Sequence, residues 1–232
     1  MDKIEIYLAG DSTVADHEPA SSPQAGWGQL LPQFFTNEVS ICNKAVNGRS
    51  SKSFIHEGRL SAISEQLSSG DYLFFQFGHN DSKPDEARHT EPFSSYRHYL
   101  LKYIETARAN DAVPVLITPL QRRKFTPDGC LYETYEDYPE AARQLASEQG
   151  VHLIDLTEQS TKLLLNLGPE KAKQLFMWLD KNSSPHYPDG VRDDTHLNKD
   201  GAKEVAEIVV GAVARLPIRL ADHVRLPHQK SN

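Results

Sequence analysis

The chain has 232 residues, of which 38% are hydrophobic and 25% are charged, and its formal net charge is −7. This composition supplies both a hydrophobic core and an ordinary charged surface, which argues against global disorder. The acidic balance argues against a protein that binds nucleic acid by neutralising phosphates. No stretch approaches the roughly 18 apolar residues of a membrane span, so no membrane partner is expected.

The cysteine content and the N-terminal residues predict a reducing compartment. Cys42 and Cys130 are too few for a disulfide framework, and residues 1–5 lack the basic and apolar regions of a signal peptide. We therefore expect a cytoplasmic protein with one domain over residues 1–220 and a polar, loosely ordered tail over residues 221–232. No sequence signal sets an oligomeric state.

Short apolar runs and helical patterns alternate along the chain. The runs predict five strands, at residues 4–9, 39–43, 72–77, 113–118 and 151–155. Their near-continuous apolar character is typical of parallel strands that are buried on both faces. Apolar residues at helical spacing predict helices over 96–107, 135–149, 159–179 and 202–213, the third interrupted at Gly168-Pro169 and the last with Asn198 as its N-cap. This alternation predicts a parallel sheet with helices on both faces.

Three candidate residues follow predicted strands, where ligands bind in open parallel sheets. Ser12 offers a hydroxyl, which needs a neighbouring base to act as a nucleophile. Gly48 offers a backbone N–H with no side chain in front of it, and Asn80 offers a neutral amide donor suited to an oxyanion. Each has a structural alternative, namely a turn at Ser12, a conformational glycine at Gly48 and, for the group His79-Asn80-Asp81, a cap of the next element.

The base must come from a distant segment, and the run Asp193-Asp194-Thr195-His196 is the candidate. In a helical turn, Asp193 and His196 would share a face. The carboxylate would then hold one ring nitrogen while the other faces Ser12. Asp194 is the alternative partner of His196.

Taken together, these blocks resemble the SGNH (GDSL-type) hydrolases, whose signature residues are Ser, Gly, Asn and His in that chain order. A closer resemblance, to the rhamnogalacturonan acetylesterase branch, spans about residues 4–213. The stretches that carry it are Gly10-Asp11-Ser12-Thr13-Val14, Gly26-Trp27-Gly28, Asn47-Gly48-Arg49-Ser50 and Gly78-His79-Asn80-Asp81.

The resemblance implies a three-layer α/β/α, flavodoxin-like fold with a five-stranded parallel sheet, and hydrolysis of acetyl esters on pectic sugars through an acetyl-enzyme. It implies that Ser12 is the nucleophile, that His196 is the general base and that Asp193 orients His196. The oxyanion hole would comprise the N–H groups of Ser12 and Gly48 and the amide of Asn80. The expected partner is therefore an acetylated oligosaccharide.

Substrate-binding residues are predicted near the same strand ends. The candidates are Arg49 for an anionic sugar, His79, and Trp27 for stacking on a sugar face, with packing of the first helix as the alternative for Trp27. Further candidates are Arg122, Arg123, Lys124 and Arg192 for charge and Tyr187 for stacking, and ordinary surface charge is an equal alternative for Arg123 and Lys124. The segment 181–192 is expected to form one wall of the site. No metal-ligand spacing such as His-Glu-x-x-His occurs, so neither a metal nor another cofactor is expected.

Other functions remain as alternatives. An esterase on the same scaffold would act on acetylxylan or another sugar ester, or as a thioesterase or lysophospholipase, which would need an apolar acyl groove beside Ser12. A non-enzymatic alternative is a flavodoxin-like binding module. The absence of a Gly-x-Ser-x-Gly motif argues against the standard α/β-hydrolase.

Overall fold

A five-stranded parallel sheet lies at the centre of the molecule, whose computed structural model describes residues 3–225. Its strands are β1 (Ile4–Gly10), β2 (Val39–Asn43), β3 (Tyr72–Gln76), β4 (Val113–Ile117) and β5 (His152–Ile154). They are arranged in the order β2-β1-β3-β4-β5. This is the flavodoxin-like order, in which the chain reverses direction across the sheet between β1 and β3. The predicted fold class is confirmed.

Helices cover both faces of this sheet. On one face, α1 (Trp27–Leu30), α6 (Leu156–Lys171) and α7 (Lys199–Val213) contribute to one hydrophobic core. On the other face, α2 (Ser51–His56), α3 (Arg59–Ser64), α4 (Arg97–Ala109) and α5 (Tyr138–Gln149) contribute to a second core. Short 3₁₀ or π turns occupy residues 19–21, 31–34, 92–96, 172–175 and 219–223.

Strand β1 shows why the apolar runs are nearly continuous. Ile6 and Leu8 point into the first core, whereas Tyr7 and Ala9 point into the second. Because successive side chains of a strand face opposite sides of the sheet, a strand covered by helices on both sides needs apolar residues at every position.

A separate antiparallel hairpin, β6 (Phe176–Leu179) and β7 (Val191–Leu197), precedes α7. The predicted helix over 159–179 is therefore wrong at its C-terminal end, where Phe176–Leu179 is a strand. Gly168 adopts a positive φ of 73° and breaks α6, which is the interruption that Gly168-Pro169 predicts.

The C-terminal segment packs against the first core for as far as the structure describes it. Leu220 is fully buried, and Val224 pairs with Phe35 in an isolated β-bridge. The expectation of a loosely ordered tail is wrong for residues 221–225, and residues 226–232 lie outside the described residues. Within residues 3–225, no helix is long and apolar enough to span a membrane.

Candidate active site

The carboxyl ends of β2, β1 and β3 lie side by side and open into a cleft of about 390 Å³. Ser12 follows β1, Gly48 follows β2 and Asn80 follows β3, so sheet topology brings these three predicted residues to one edge. This is the point at which the strand order reverses, where open α/β sheets bind ligands. The cleft is lined by Ser12, Asn47, Gly48, His79, Asn80, Lys83, Arg122, Lys124, Asp193, Thr195 and His196.

A hydroxyl, an imidazole and a carboxylate form a hydrogen-bonded chain in this cleft. Ser12 Oγ lies 3.0 Å from His196 Nε2. His196 Nδ1 lies 2.6 Å from Asp193 Oδ2. The carboxylate thus fixes the ring so that Nε2 faces the hydroxyl, the geometry in which an imidazole can accept a proton from serine.

A bulge in the β6–β7 hairpin positions Asp193 and His196 at the cleft. Trp178 pairs with Arg192 and Phe176 pairs with Leu197, so residues 193–196 bulge out opposite a single residue of β6. The expected helical turn is therefore wrong.

Within this bulge, the Asp193 side chain holds the backbone in place. Asp193 Oδ1 accepts the backbone N–H groups of Thr195, at 2.7 Å, and of His196, at 3.0 Å. This local turn closes the chain over three residues and leaves Oδ2 for the imidazole of His196.

The structure also distinguishes the two neighbouring aspartates. The carboxylate of Asp194 pairs with the buried guanidinium of Arg123 at 2.6 Å and accepts the Trp178 Nε1–H at 2.8 Å. Asp194 therefore points away from His196 and anchors the hairpin, whereas Asp193 contacts the imidazole.

Asp193 is ionised throughout the range in which proteins are normally active. Burial by itself would raise the pKa of Asp193. The hydrogen bond from His196 and the backbone N–H donors outweigh burial and lower the pKa to about 2. A permanent negative charge beside His196 stabilises the imidazolium that forms when the ring accepts a proton.

Gly48 and Asn80 each offer a donor toward the cleft. Gly48 has a φ of +78°, a conformation that strongly favours glycine. Asn80 is buried, and its Nδ2 donates one hydrogen bond to Arg49 O at 3.1 Å. Since an amide group carries two N–H hydrogens, one remains for a ligand.

Asp81 holds these loops together. Its fully buried carboxylate accepts hydrogen bonds from Gly78 N at 3.0 Å, from Ser51 N at 3.1 Å, from Ser51 Oγ, and from Thr90 Oγ1 at 3.1 Å. The start of α2 is thereby tied to the end of β3, which fixes the Asn80 loop relative to the Gly48 loop. Asp81 therefore contacts the first residue of α2, an earlier element of the chain, and capping of the next element is not the role of its carboxylate.

Trp27 is not a sugar-stacking residue. Its side chain is fully buried, and its Nε1–H donates to Gln76 Oε1 at 2.9 Å. Gln76 in turn donates to Thr13 Oγ1 at 2.7 Å. Trp27 therefore supports the loop after β1 from below, in agreement with the alternative reading that it packs the first helix.

Arg49 is also misplaced for substrate binding. Its guanidinium pairs with the Glu57 carboxylate at 3.1 Å and donates to Asn47 O at 2.8 Å, and it does not line the cleft. The segment 181–192 does not line the cleft either, so Tyr187 and Arg192 are likewise outside it, and the expectation that this segment forms a wall is wrong.

His79 does lie at the cleft, but it is buried in the floor. Its Nδ1 is 3.2 Å from Asp11 Oδ2, and its ring contacts Tyr135 edge-on. Burial by itself would raise the pKa of Asp11, but His79 and the hydrogen bonds from Thr13 outweigh burial and lower it. The imidazole of His79 and the carboxylate of Asp11 thus lie in contact in the floor of the cleft.

Three cations line the cleft, namely Lys83, Arg122 and Lys124. Lys83 is missing from the sequence-based candidates, although it lies only three residues after Asn80 in the same loop. Its place in the loop that carries Asn80 is the sequence signal that could have identified Lys83 as a cleft residue. None of the three has a carboxylate within 4.0 Å among the described residues.

The chain is similar in sequence to a protein family and to several known proteins. Over residues 8–204 the chain matches the GDSL-like lipase/acylhydrolase family. It is 45% identical to the rhamnogalacturonan acetylesterase RhgT of Bacillus subtilis, over 95% of this chain and 94% of that protein. It is 40% identical to the probable rhamnogalacturonan acetylesterase YesY of the same organism, over 94% of this chain and 96% of that protein.

The fold is also similar to that of a solved structure. The crystal structure of YxiM from Bacillus subtilis matches with a TM-score of 0.80 at 30% identity. The match covers 94% of this chain and 58% of that one, so this chain spans little more than half of YxiM. Family match, sequence identity and fold agree, and the chain belongs to the GDSL-like lipase/acylhydrolase family.

Proposed function

We propose that this protein is a serine esterase that removes acetyl groups from acetylated rhamnogalacturonan-type sugars. The observation that carries the proposal is the contact of 3.0 Å between Ser12 Oγ and His196 Nε2, with Asp193 at 2.6 Å from the other ring nitrogen. The names of the relatives RhgT and YesY supply the substrate class.

The proposed reaction proceeds in two halves. Ser12 Oγ attacks the acetyl carbonyl while His196 Nε2 takes the hydroxyl proton. The bond between the carbonyl carbon and the sugar oxygen then breaks, and His196 returns the proton to that oxygen, leaving Ser12 acetylated. A water molecule gives a proton to His196 and attacks the acetyl group, after which acetate departs and Ser12 regains its proton.

Stabilisation of the oxyanion is assigned to three donors around Ser12. They are its own backbone N–H, the backbone N–H of Gly48 and the second N–H of the Asn80 amide. Such donors act strongly because they are fixed before the charge develops and lie in a partly dehydrated cleft.

The lining of the cleft favours a sugar alcohol over a long acyl chain. Apart from Gly48, every side chain around Ser12 and His196 is polar or charged. A thioesterase or lysophospholipase needs apolar side chains that bury the acyl chain. The three unpaired cations favour an acidic sugar chain over a neutral one such as xylan.

The decisive experiment measures acetate release from acetylated rhamnogalacturonan oligosaccharides and from acetylated xylan, with Ser12→Ala as the control. We expect release from rhamnogalacturonan and none from the Ser12→Ala variant. Release from xylan alone would contradict the substrate, and faster hydrolysis of octanoyl than of acetyl nitrophenyl ester would contradict deacetylation altogether.

We also propose a cytoplasmic location. Cys42 and Cys130 are both free thiols, as is usual in a reducing compartment. Cell fractionation with an antibody against the protein tests this proposal, and recovery from the culture medium would contradict it.

A further inference from the structure

Residues 124–132 form a small antiparallel hairpin at the rim of the cleft. Phe125 pairs with Leu131 in a β-bridge. Tyr132 N donates to Lys124 O at 2.8 Å, and Thr126 N donates to Cys130 O at 2.7 Å. Lys124 and Tyr132 are therefore directly opposite each other across the hairpin.

The two faces of this hairpin have different surroundings. Phe125 and Leu131 pack against the first hydrophobic core. Because successive side chains of a strand alternate and opposite side chains share a face, Lys124 and Tyr132 project together from the other face. Lys124 lines the cleft. Tyr132 does not belong to that lining, but it lies beside Lys124 on the same face of the hairpin, at the rim of the cleft.

Tyr132 is an aromatic side chain left in water. It is 52% exposed, and it makes no side-chain hydrogen bond or aromatic contact with the described residues. A large aromatic ring that is exposed beside a polar cleft offers a flat apolar surface with a polar tip, which suits the C–H face of a sugar ring.

Positive charge lines the cleft beside this hairpin. The guanidinium of Arg122 lies 4.7 Å above the ring of Tyr135, and its Nη2 makes a long contact of 3.4 Å with His79 O. Its buried Nε has no hydrogen-bond partner in the described part of the chain. Arg123, between the two cleft cations Arg122 and Lys124, is neutralised by Asp194, whereas they are not.

We propose that Arg122, Lys124 and Tyr132 form a subsite for an acidic sugar unit of the acetylated chain. Tyr132 stacks on the ring of that unit, while Arg122 and Lys124 pair with its carboxylate. This subsite rests on the proposed function, since it shares the cleft of Ser12 and His196. It makes the loop after β4 the element that selects acidic chains.

The first test compares Tyr132→Ala with Tyr132→Phe, which keeps the ring. The measured quantity is kcat/KM for acetylated rhamnogalacturonan oligosaccharide divided by kcat/KM for nitrophenyl acetate. We expect Tyr132→Ala to lower this ratio about three- to tenfold and Tyr132→Phe to preserve most of it. An equal loss in both variants, or no loss in Tyr132→Ala, would overturn the stacking assignment.

The second test addresses the charge. Lys124→Gln is compared with Lys203→Gln, which removes an exposed lysine of α7 outside the cleft. We expect Lys124→Gln to raise KM for the acidic oligosaccharide severalfold at low salt, to do so less at high salt, and to change KM for acetylated xylo-oligosaccharide by a smaller factor. The control should match the native protein, and identical behaviour of the two variants would overturn the role of Lys124.

A binding measurement separates this proposal from the proposed function. Calorimetry with the Ser12→Ala variant uses rhamnogalacturonan oligosaccharide without acetyl groups and, for comparison, xylo-oligosaccharide of equal length. Tighter binding of the acidic chain, weakened by adding Tyr132→Ala, supports the subsite even if no acetate is released in the activity assay. Equal binding of the two chains would overturn the subsite even if deacetylation is observed.

Discussion

Ser12 and His196 are 184 positions apart in the chain, yet their side chains lie 3.0 Å apart. Two local features produce this contact. Strand β1 ends at Gly10, two residues before Ser12, and the bulge of β7 brings His196 to that strand end. Each residue is therefore positioned by backbone that the rest of the fold holds in place, which is the arrangement that catalysis by preorganised groups requires.

Replacing Asn80 by Ala tests the oxyanion assignment. The substitution removes the amide donor, and we expect kcat for acetyl esters to fall roughly a hundred- to thousandfold, about 2.7–4 kcal/mol of transition-state stabilisation. The lost bond to Arg49 O adds a stability cost of about 1 kcal/mol, which a denaturation curve measures separately. A kcat within threefold of the native value would contradict the assignment.

Replacing Asp193 by Asn tests the orientation of His196, with Asp194→Asn as the matched control. We expect Asp193→Asn to lower kcat by roughly three to four orders of magnitude, since the amide neither stabilises the imidazolium nor fixes the ring tautomer. Asp194→Asn should retain activity but unfold at lower urea concentration, because buried Arg123 loses its partner. Equal losses of kcat in the two variants would contradict this division of roles.

At the scale of single elements, the start of α7 determines where the bulge lies. Asn198, two residues after His196, caps this helix by accepting Gly201 N at 3.0 Å. Its own amide donates to Gln174 O at 2.7 Å and to Phe176 O at 3.1 Å. The helix, the preceding turn and β6 are thus fastened to one side chain next to the active site.

Two glycines of α7 provide a test of this close packing. A Cβ on Gly201 would lie 1.9 Å from the backbone oxygen of Leu175, whereas a Cβ on Gly211 would meet only Arg215 Nη1 at 3.8 Å. We expect Gly201→Ala to destabilise the protein by about 1–3 kcal/mol and Gly211→Ala to stabilise it by roughly 0.5–1 kcal/mol. Urea denaturation measures both, and a neutral Gly201→Ala would show that the helix is free to shift.

At the scale of the whole molecule, ionised carboxylates hold separate parts of the fold together. Burial by itself would raise the pKa of Asp11 and of Asp155, but each carboxyl has a lowered pKa. His79 outweighs burial for Asp11, and Arg143 does so for Asp155. Asp193, with a pKa of about 2, belongs to the same group.

These lowered pKa values set the sign of the response to acid. In the unfolded chain an Asp carboxyl has a pKa of about 3.9, so between about pH 4 and pH 2 the unfolded state binds more protons. We therefore expect the free energy of unfolding to fall as the pH drops through this window, and to fall less steeply in Asp193→Asn. Urea titrations at pH 4, 3 and 2 measure this slope, and an identical slope in the variant would contradict the contribution of Asp193.

Activity responds to acid for a different reason. Asp193 remains ionised down to about pH 2, so a loss of activity above that pH does not come from this carboxyl. A protonated imidazole cannot accept the proton of Ser12, and a rate profile that is flat from pH 8 down to about pH 4 would contradict the role of His196 as base.

The sequence by itself determined the layered fold and the residues that meet in the cleft. A strand buried on both faces is apolar at nearly every position, as β1 is except at Glu5, and the carboxyl ends of parallel strands share one edge of the sheet. Ser12, Gly48 and Asn80 could therefore be located without coordinates. Asp193 and His196 could be paired by spacing, although the backbone between them is a bulge and not a helical turn.

Only the tertiary structure decided which polar side chains face the cleft. Arg122, Arg123 and Lys124 are consecutive, yet the middle one is neutralised by Asp194 from a segment about 70 residues away, while its neighbours line the cleft. Arg49 is likewise drawn to Glu57. A charged or aromatic side chain adopts the direction in which distant segments supply its partners, and those partners are brought together only when the chain folds.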